Sequence, residues 1–454
     1  MRPLCRRPRS SIALLAPSFA VILAFVAPAA GAAQAAAADA PPPPADRLEL
    51  GVEERVRWEN WDDITDFSSA TADARHQLRL RTRLWGKVNL GPRFEAMLGF
   101  NNESRKIYTP DTPMKLDEII FETLYLHYRV SDRVAARLGR QDLRFGDAFL
   151  VFEGGPLDGS RSRYVNALEV TWTPGVSKFS FLGISDPHQD LYLPVINDKD
   201  RALIEVDEQA LGVYFTAGGL ERMALDAYYF AKWESDDTRA TTSAAYQGDR
   251  SVHTLGARWS RQFTGGWSTA AEVAGQVGKQ DPDDDVRGWA ATGTVKKAFA
   301  GAAKPSLSVG YLGLSGDDPG SGDIEAWDPL FSRWPKWSEA FLYTLGSEKG
   351  SSYWTNLSAL QAEFLISPTP ALDLRATYYL MGAFYRWPGK PEIYGDGTTR
   401  GNLYQARADL KAGGSWRAHL VGEWFEPGSF YAGPDGGWFL RAEATYTFRH
   451  TFAL

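Results

Sequence analysis

The feature that most constrains this chain is a rhythm of connections. Along residues 46–454, short turn-rich joints alternate strictly with long polar ones. The short joints fall at 89–93, 130–133, 173–177, 217–222, 262–266, 299–304, 367–371 and 412–415. The long ones fall near 60–75, 102–118, 146–162, 185–207, 234–252, 279–285, 315–353, 385–401 and 427–437. Eight short and nine long connections join 18 segments. Each segment with its connection takes about 23 residues, room for the ~9–11 residues with which a tilted strand crosses a bilayer. A soluble sandwich has no reason to keep short and long joints on opposite ends.

Within the segments, side chains alternate with period two, as strands require. From His76 to Leu90, Leu78, Leu80, Leu84, Val88 and Leu90 share one face, while Gln77, Arg79, Arg81, Arg83, Lys87 and Asn89 share the other. The same alternation returns at 372–380, 416–424 and 440–448. No stretch after Leu48 offers 18 consecutive apolar residues, so the oily faces are those of strands. In lipid an unpaired backbone group costs several kcal/mol, so such a sheet must close on itself. The pattern therefore predicts an all-β, antiparallel, up-and-down transmembrane barrel of about 18 strands, with short periplasmic turns, long extracellular loops and a wet lumen. Trp58, Trp61, Trp85, Trp172, Trp233, Trp259, Trp267, Trp289, Trp416, Trp424 and Trp438 tend towards predicted strand ends, where interfacial girdles belong.

The first 35 residues are an address. Arg2, Arg6, Arg7 and Arg9 precede an apolar stretch from Ile12 to Ala27, then small residues with A-x-A spacing follow. We read residues 1–35 as a cleaved signal peptide, 36–45 as an Ala/Pro-rich lead-in and 46–454 as the barrel. Four arginines and no acid leave with the signal, so the net charge moves from −7 to −11. Cys5, the single cysteine, leaves too, which removes disulfide and thiol chemistry from the mature chain. With 49 basic against 56 acidic residues there is no excess to neutralise phosphates, so nucleic acid is not an expected partner.

Three motifs carry a resemblance. They are Arg137-Leu138-Gly139-Arg140-Gln141-Asp142-Leu143-Arg144-Phe145-Gly146-Asp147; Ser315-Gly316-Asp317-Asp318-Pro319 followed by Asp328-Pro329-Leu330-Phe331 and Arg333-Trp334-Pro335; and Phe425-Glu426-Pro427-Gly428. With them the chain resembles the alginate export family of outer-membrane barrels over nearly all of residues 46–448. The resemblance implies an 18-stranded monomeric channel whose arginine-rich constriction passes an anionic exopolysaccharide. Exporters of alginate itself are expected to have a long periplasmic loop between strands 16 and 17, whereas this joint is only Ala412-Gly413-Gly414-Ser415.

Guanidinium presents a planar fork of donors that matches a carboxylate, and a polyuronate carries one carboxylate per sugar. Arg79, Arg81 and Arg83, spaced by two, would form a ladder of forks, since three like charges on one face repel and need a reason. Arg129, Arg137, Arg140, Arg144, Arg258, Arg375, Arg407, Arg417 and Arg441 complete the candidate constriction. The competing reading pairs each arginine with an acid across the wall, as Arg407 with Asp409 or Arg441 with Glu443. The expected partners are an anionic polysaccharide or oligosaccharide, outer-membrane lipid and lipopolysaccharide, and periplasmic secretion proteins. No cofactor and no metal site is assigned: the acidic clusters Asp281, Asp283, Asp284, Asp285 and Asp317, Asp318, Asp323, Glu325, Asp328 read as solvated residues of external loops.

Two rival functions remain open at this level. A porin importing small anionic solutes or sugars would share every barrel feature. A barrel-embedded lipid or glycan hydrolase would need a lumenal base, for which His127 and His419 face the right way; yet GxSxG, HExxH and GxxxxGK[ST] patterns are missing.

Overall fold

The structure is a computed structural model that describes residues 46–147, 165–196, 204, 206–235, 249–280, 284–332, 338–339, 355–387, 389 and 391–454. The signal peptide, the lead-in, Asp281, Asp283 and Arg333-Trp334-Pro335 lie outside these residues. Eighteen strands follow one another: β1 Arg47–Asp62, β2 Arg75–Leu90, β3 Phe94–Thr109, β4 Lys115–Arg129, β5 Val134–Gln141, β6 Val165–Trp172, β7 Lys178–Asp186, β8 Asp207–Thr216, β9 Met223–Ser235, β10 Arg250–Gln262, β11 Trp267–Gln280, β12 Asp284–Ala298, β13 Ser306–Leu314, β14 Leu357–Thr369, β15 Leu372–Gly382, β16 Thr399–Ala412, β17 Trp416–Pro427 and β18 Gly437–Ala453. Each pairs antiparallel with its neighbours in sequence, and β1 pairs with both β2 and β18. The sheet closes over a 16-residue seam from Arg47↔Ala453 to Asp62↔Trp438. No edge is left to hydrocarbon.

All eight short joints lie where the sequence placed them, at the end opposite the long connections. Glycines in the left-handed region let the tightest of them reverse, such as Gly91 (φ 59°) and Gly413 (φ 62°). One long connection is shorter than expected. The joint predicted at 102–118 shrinks to 110–114, because β3 and β4 continue their ladder beyond the apolar band. There Asn102, Ser104 and Lys106 occupy the outward face, so a strand projecting into water reads like a polar loop.

The outer wall is oily, with Leu211, Leu255, Val273, Val277 and Val309 exposed. Nine of the tryptophans named above sit on the outward parity. Trp61 and Trp85 instead point inward: Trp61 stacks on Phe439 (6.1 Å), while Trp85 donates to Glu49 (3.1 Å). Gly51 is required beneath Trp85, since a Cβ there would lie 2.0 Å from the indole ring. Glu54 faces outward level with Tyr446 and Trp416 and accepts the Thr82 hydroxyl (3.0 Å), which puts it in an interfacial girdle.

The interior is not uniformly polar. Inward residues of β6–β17, among them Ile184, Tyr214, Tyr228, Phe230, Leu314, Leu403 and Phe425, form one buried apolar cluster with residues of infolded connections. Phe67, Leu143, Trp327, Leu330, Phe331, Tyr394, Phe430 and Tyr431 supply the infolded part. Loops that fold into a bore wide enough for water thus gain the apolar burial that a soluble core would give them.

Leu255 lies mid-strand on the outer wall and is 68% exposed. Leu255→Arg should destabilise the barrel by about 2–4 kcal/mol in equilibrium denaturation from bilayers.

Candidate pore constriction

Register brings like charges face to face on the inner wall. Arg57 of β1 stands opposite Arg79 of β2, and Arg79 opposite Arg105 of β3. In the next row Arg55 stands opposite Arg81. Cross-strand neighbours of one sign destabilise a sheet, so these rows need counter-charge. Glutamates on the flanking positions supply it. Glu103 binds Arg55 (2.7 Å) and Arg79 (2.8 Å), Glu59 binds Arg79 (3.4 Å) and Arg441 (2.5 Å), and Glu443 binds Arg57 (2.5 Å). Glu53 is shared by Arg81 (3.0 Å), Arg83 (3.5 Å) and Arg417 (3.3 Å), with Glu122 taking the far edge of Arg83 (2.7 Å).

The ladder predicted from Arg79, Arg81 and Arg83 is therefore present, inward and buried, but it is not three bare forks. It is one part of an ion-pair lattice across β1–β4, β17 and β18. Buried pairs of this kind contribute little net stability, yet loss of one partner costs roughly 3–5 kcal/mol because the other charge is stranded. Among the described residues Nε and Nη1 of Arg81 have no hydrogen-bond partner, and Arg105 has no carboxylate within ion-pair distance.

The remaining candidates brace the wall. Arg140, fully buried, grips Asp190 with both terminal nitrogens (2.6 and 2.7 Å) and donates to Asn166 and the Phe121 carbonyl. It pins the β7–β8 connection inward. Arg258 grips Asp147 (2.8 and 2.9 Å) and Asp226 (2.9 Å), holding the segment after β5 against the wall. Arg137 lies 3.7 Å from Glu169 and over the Tyr125 ring, Arg375 lies 3.5 Å from Glu363, and Arg407 is bidentate on Asp409. Arg129 is exposed at the end of β4, and Arg144 is exposed beyond β5. So Arg79, Arg81, Arg83, Arg417 and Arg441 come together, whereas Arg129, Arg137, Arg140, Arg144, Arg258, Arg375 and Arg407 are distributed around the wall.

The β13–β14 connection contributes to the bore from both sides. Asp328, expected in an external loop, is instead fully buried in the lumen, bound to Lys232 (3.3 Å) and Arg250 (2.9 Å). The reason is local. Gln276 both donates to and accepts from the Asp328 backbone, Lys232 also binds Glu208 and Glu234, and Phe331 covers the Lys232 ammonium (5.6 Å). Further along the connection, Ser338 donates to Glu423 and the Glu339 carboxylate meets Arg441 (2.7 Å). β9 and β10 lie across the 18-strand ring from β17 and β18, so this connection touches opposite walls.

Sequence reasoning missed Arg55, Arg57, Arg105, Lys232, Arg250 and Glu339. The alternating run Glu53, Arg55, Arg57, Glu59 carried a signal for the first two; nothing local marks Glu339. His127 is half-buried on the inner face, and His419 lies 3.7 Å from Glu443. At the external rim Asp62, Asp63 and Asp73 bring carboxylate oxygens within 4.8 Å of one another, the described acids best placed to hold a cation. Desolvation and then the charges of Asp62 and Asp73 push the Asp63 carboxyl above its ordinary value.

A family model described as alginate export matches residues 46–432. Among solved structures, Pseudomonas aeruginosa OccK5 (OpdH) superposes with a TM-score of 0.57 at 10% identity, covering 89% of this chain and 98% of that one. Pseudomonas aeruginosa OccK2 (OpdF), solved in complex with glucuronate, gives 0.54 at 11%, with 88% and 98% covered. Acinetobacter baumannii OccAB1 gives 0.54 at 9%, with 88% and 97% covered. At such identities these likenesses speak for the fold alone. Comparison with curated proteins finds no match. Family match and closed barrel agree: the chain belongs to the alginate export family and is a channel of the bacterial outer membrane.

Proposed function

We propose that the barrel passes an anionic, polyuronate-like polysaccharide or oligosaccharide by passive diffusion along the wall of β1–β3, β17 and β18. The observation that carries this reading is the pair of like-charge rows, Arg57–Arg79–Arg105 and Arg55–Arg81. A wall that only needed bracing would alternate sign. Among the described residues the arginines of these rows outnumber the acids bound to them, and Nε and Nη1 of Arg81, buried and without a hydrogen-bond partner, would gain one when a carboxylate displaces Glu53.

Transfer along such a wall is an exchange of like for like. A uronate carboxylate arriving at Arg81 or Arg83 replaces a bond to Glu53, and the glutamate recloses once the sugar moves on. Each guanidinium is thereby never stranded, so the chain meets many weak sites, strong enough for entry and weak enough for release. Glu339 is a resident competitor of the same chemistry, holding Arg441 at 2.7 Å. Residues 1–35 serve as the export signal in this reading, and 36–45 as an extended lead-in.

A porin that imports small sugar acids is the second reading. The three-residue turn between β16 and β17 supports it, because no long periplasmic segment arises there to gate a polymer. OccK2, which shares the fold, was crystallised with a sugar acid of this class.

Single-channel recording separates the readings. Added polyuronate is expected to block the current at concentrations well below those needed with monomeric uronate. Replacing Arg79, Arg81 and Arg83 together by Gln should weaken block at least tenfold. Equal block by monomer and polymer would favour the porin, and absence of block in the parent would sink both. A second expectation concerns selectivity: Glu339→Gln should shift the reversal potential in a salt gradient towards anions and tighten polyuronate block, an effect that fades as ionic strength rises.

A further inference from the structure

The outer wall carries cations at both ends, and the two ends treat them differently. Near the long loops, outward cations have carboxylates beside them: Lys106 meets Asp111 (2.5 Å), Lys279 meets Asp285 (2.7 Å), and Arg287 meets Asp285 (2.9 Å) and Asp323 (2.7 Å). At the periplasmic end of β10–β12 the pattern breaks. Arg261 and Lys297 point to the lipid side with no carboxylate within ion-pair distance among the described residues. Each rests on aromatic rings instead, Arg261 over Phe263 (5.4 Å) and Lys297 over Trp267 (5.1 Å) and Phe299 (5.8 Å).

Strand register makes these residues one patch. Lys297 pairs with Trp267, and Arg261 pairs with Thr269 two positions along the same strand. Trp267 therefore stands on the strand between the two cations, which lie two strand spacings across and two residues along the sheet, about 12 Å apart. Phe263, Trp267 and Phe299 are each more than 40% exposed, and the lipid-facing Val295, Val309 and Val273 continue towards the membrane centre. Lys297 also donates to the Gly265 carbonyl (2.5 Å), which draws the ammonium to the level of the turn. A cation pair, an aromatic ledge and an aliphatic slope stand in the order of a phospholipid's phosphate, glycerol and acyl chains.

We infer that Arg261 and Lys297, framed by Phe263, Trp267 and Phe299, form a binding site for the phosphodiester headgroup of an anionic glycerophospholipid in the periplasmic leaflet. The lipid supplies the counter-charge that the wall lacks here, and the rings hold both cations at headgroup depth. Such a site would fix the vertical position of the barrel on this side independently of what crosses its lumen.

Native mass spectrometry of the purified full-length mature barrel, in micelles doped with phosphatidylglycerol or phosphatidylcholine, tests this. The barrel should retain phosphatidylglycerol preferentially. Arg261→Gln with Lys297→Gln should weaken retention roughly tenfold, whereas Lys279→Gln with Arg287→Gln at the opposite end should leave it unchanged. Exchanging the two cations as Arg261→Lys with Lys297→Arg should restore it. Equal retention by parent and Arg261→Gln/Lys297→Gln variant, equal retention of the two lipids, or displacement by an equal concentration of inorganic phosphate would overturn the proposal.

Discussion

Backbone pairing in hydrocarbon is the constraint on which the rest of this molecule depends. Each strand must find a partner on both sides, and the β1–β18 seam satisfies the last two. Once the cylinder is closed, every residue's face is decided by its parity, with no freedom to turn a charge away from its neighbours. That is why Arg57, Arg79 and Arg105 confront one another across three strands, and why glutamates had to be placed around them. Closure fixes which side chains of β1–β4, β17 and β18 confront one another; it does not by itself call for arginine at those positions.

Closure at eighteen strands also creates an interior too wide for wall side chains to fill. Two different solutions share it. On one arc, long arginine and glutamate side chains reach across the wall and bury one another in ion pairs. On the other, infolded connections bring Trp327, Leu330, Phe331, Tyr394 and Tyr431 against apolar inward faces. Asp328 joins the two, since it anchors an infolded connection through buried charges at Lys232 and Arg250. The connection then reaches the arginine arc again at Glu339.

How much of this could be read from the sequence follows from the range of each interaction. Strand parity and turn position are local, so the face of Arg79, Arg81 and Arg83 and all eight periplasmic turns were legible. Partner choice across strands is not local. Glu53 and Arg417 are held together by the seam, and Arg140 and Asp190 meet only because a connection folds inward. The inward turn of Trp61 and Trp85 was hidden for a similar reason, as aromatic type suggests an interface and only register shows the face. Asp328 misled because its sequence neighbours Asp317, Asp318, Asp323 and Glu325 do sit at the rim, while Gln276 and Lys232, which draw it inside, lie on distant strands.

Thiol labelling along β2 tests the central claim most directly, that one strand presents a cationic row to the lumen and an oily row to lipid. In a barrel produced without residues 1–35, which hold Cys5, the single native cysteine, cysteines placed singly at 78, 79, 80, 81, 83 and 84 would be treated with a water-soluble reagent in bilayer vesicles. Positions 79, 81 and 83 are expected to react and 78, 80 and 84 to be protected. Reaction on the opposite parity, or no alternation at all, would contradict the account.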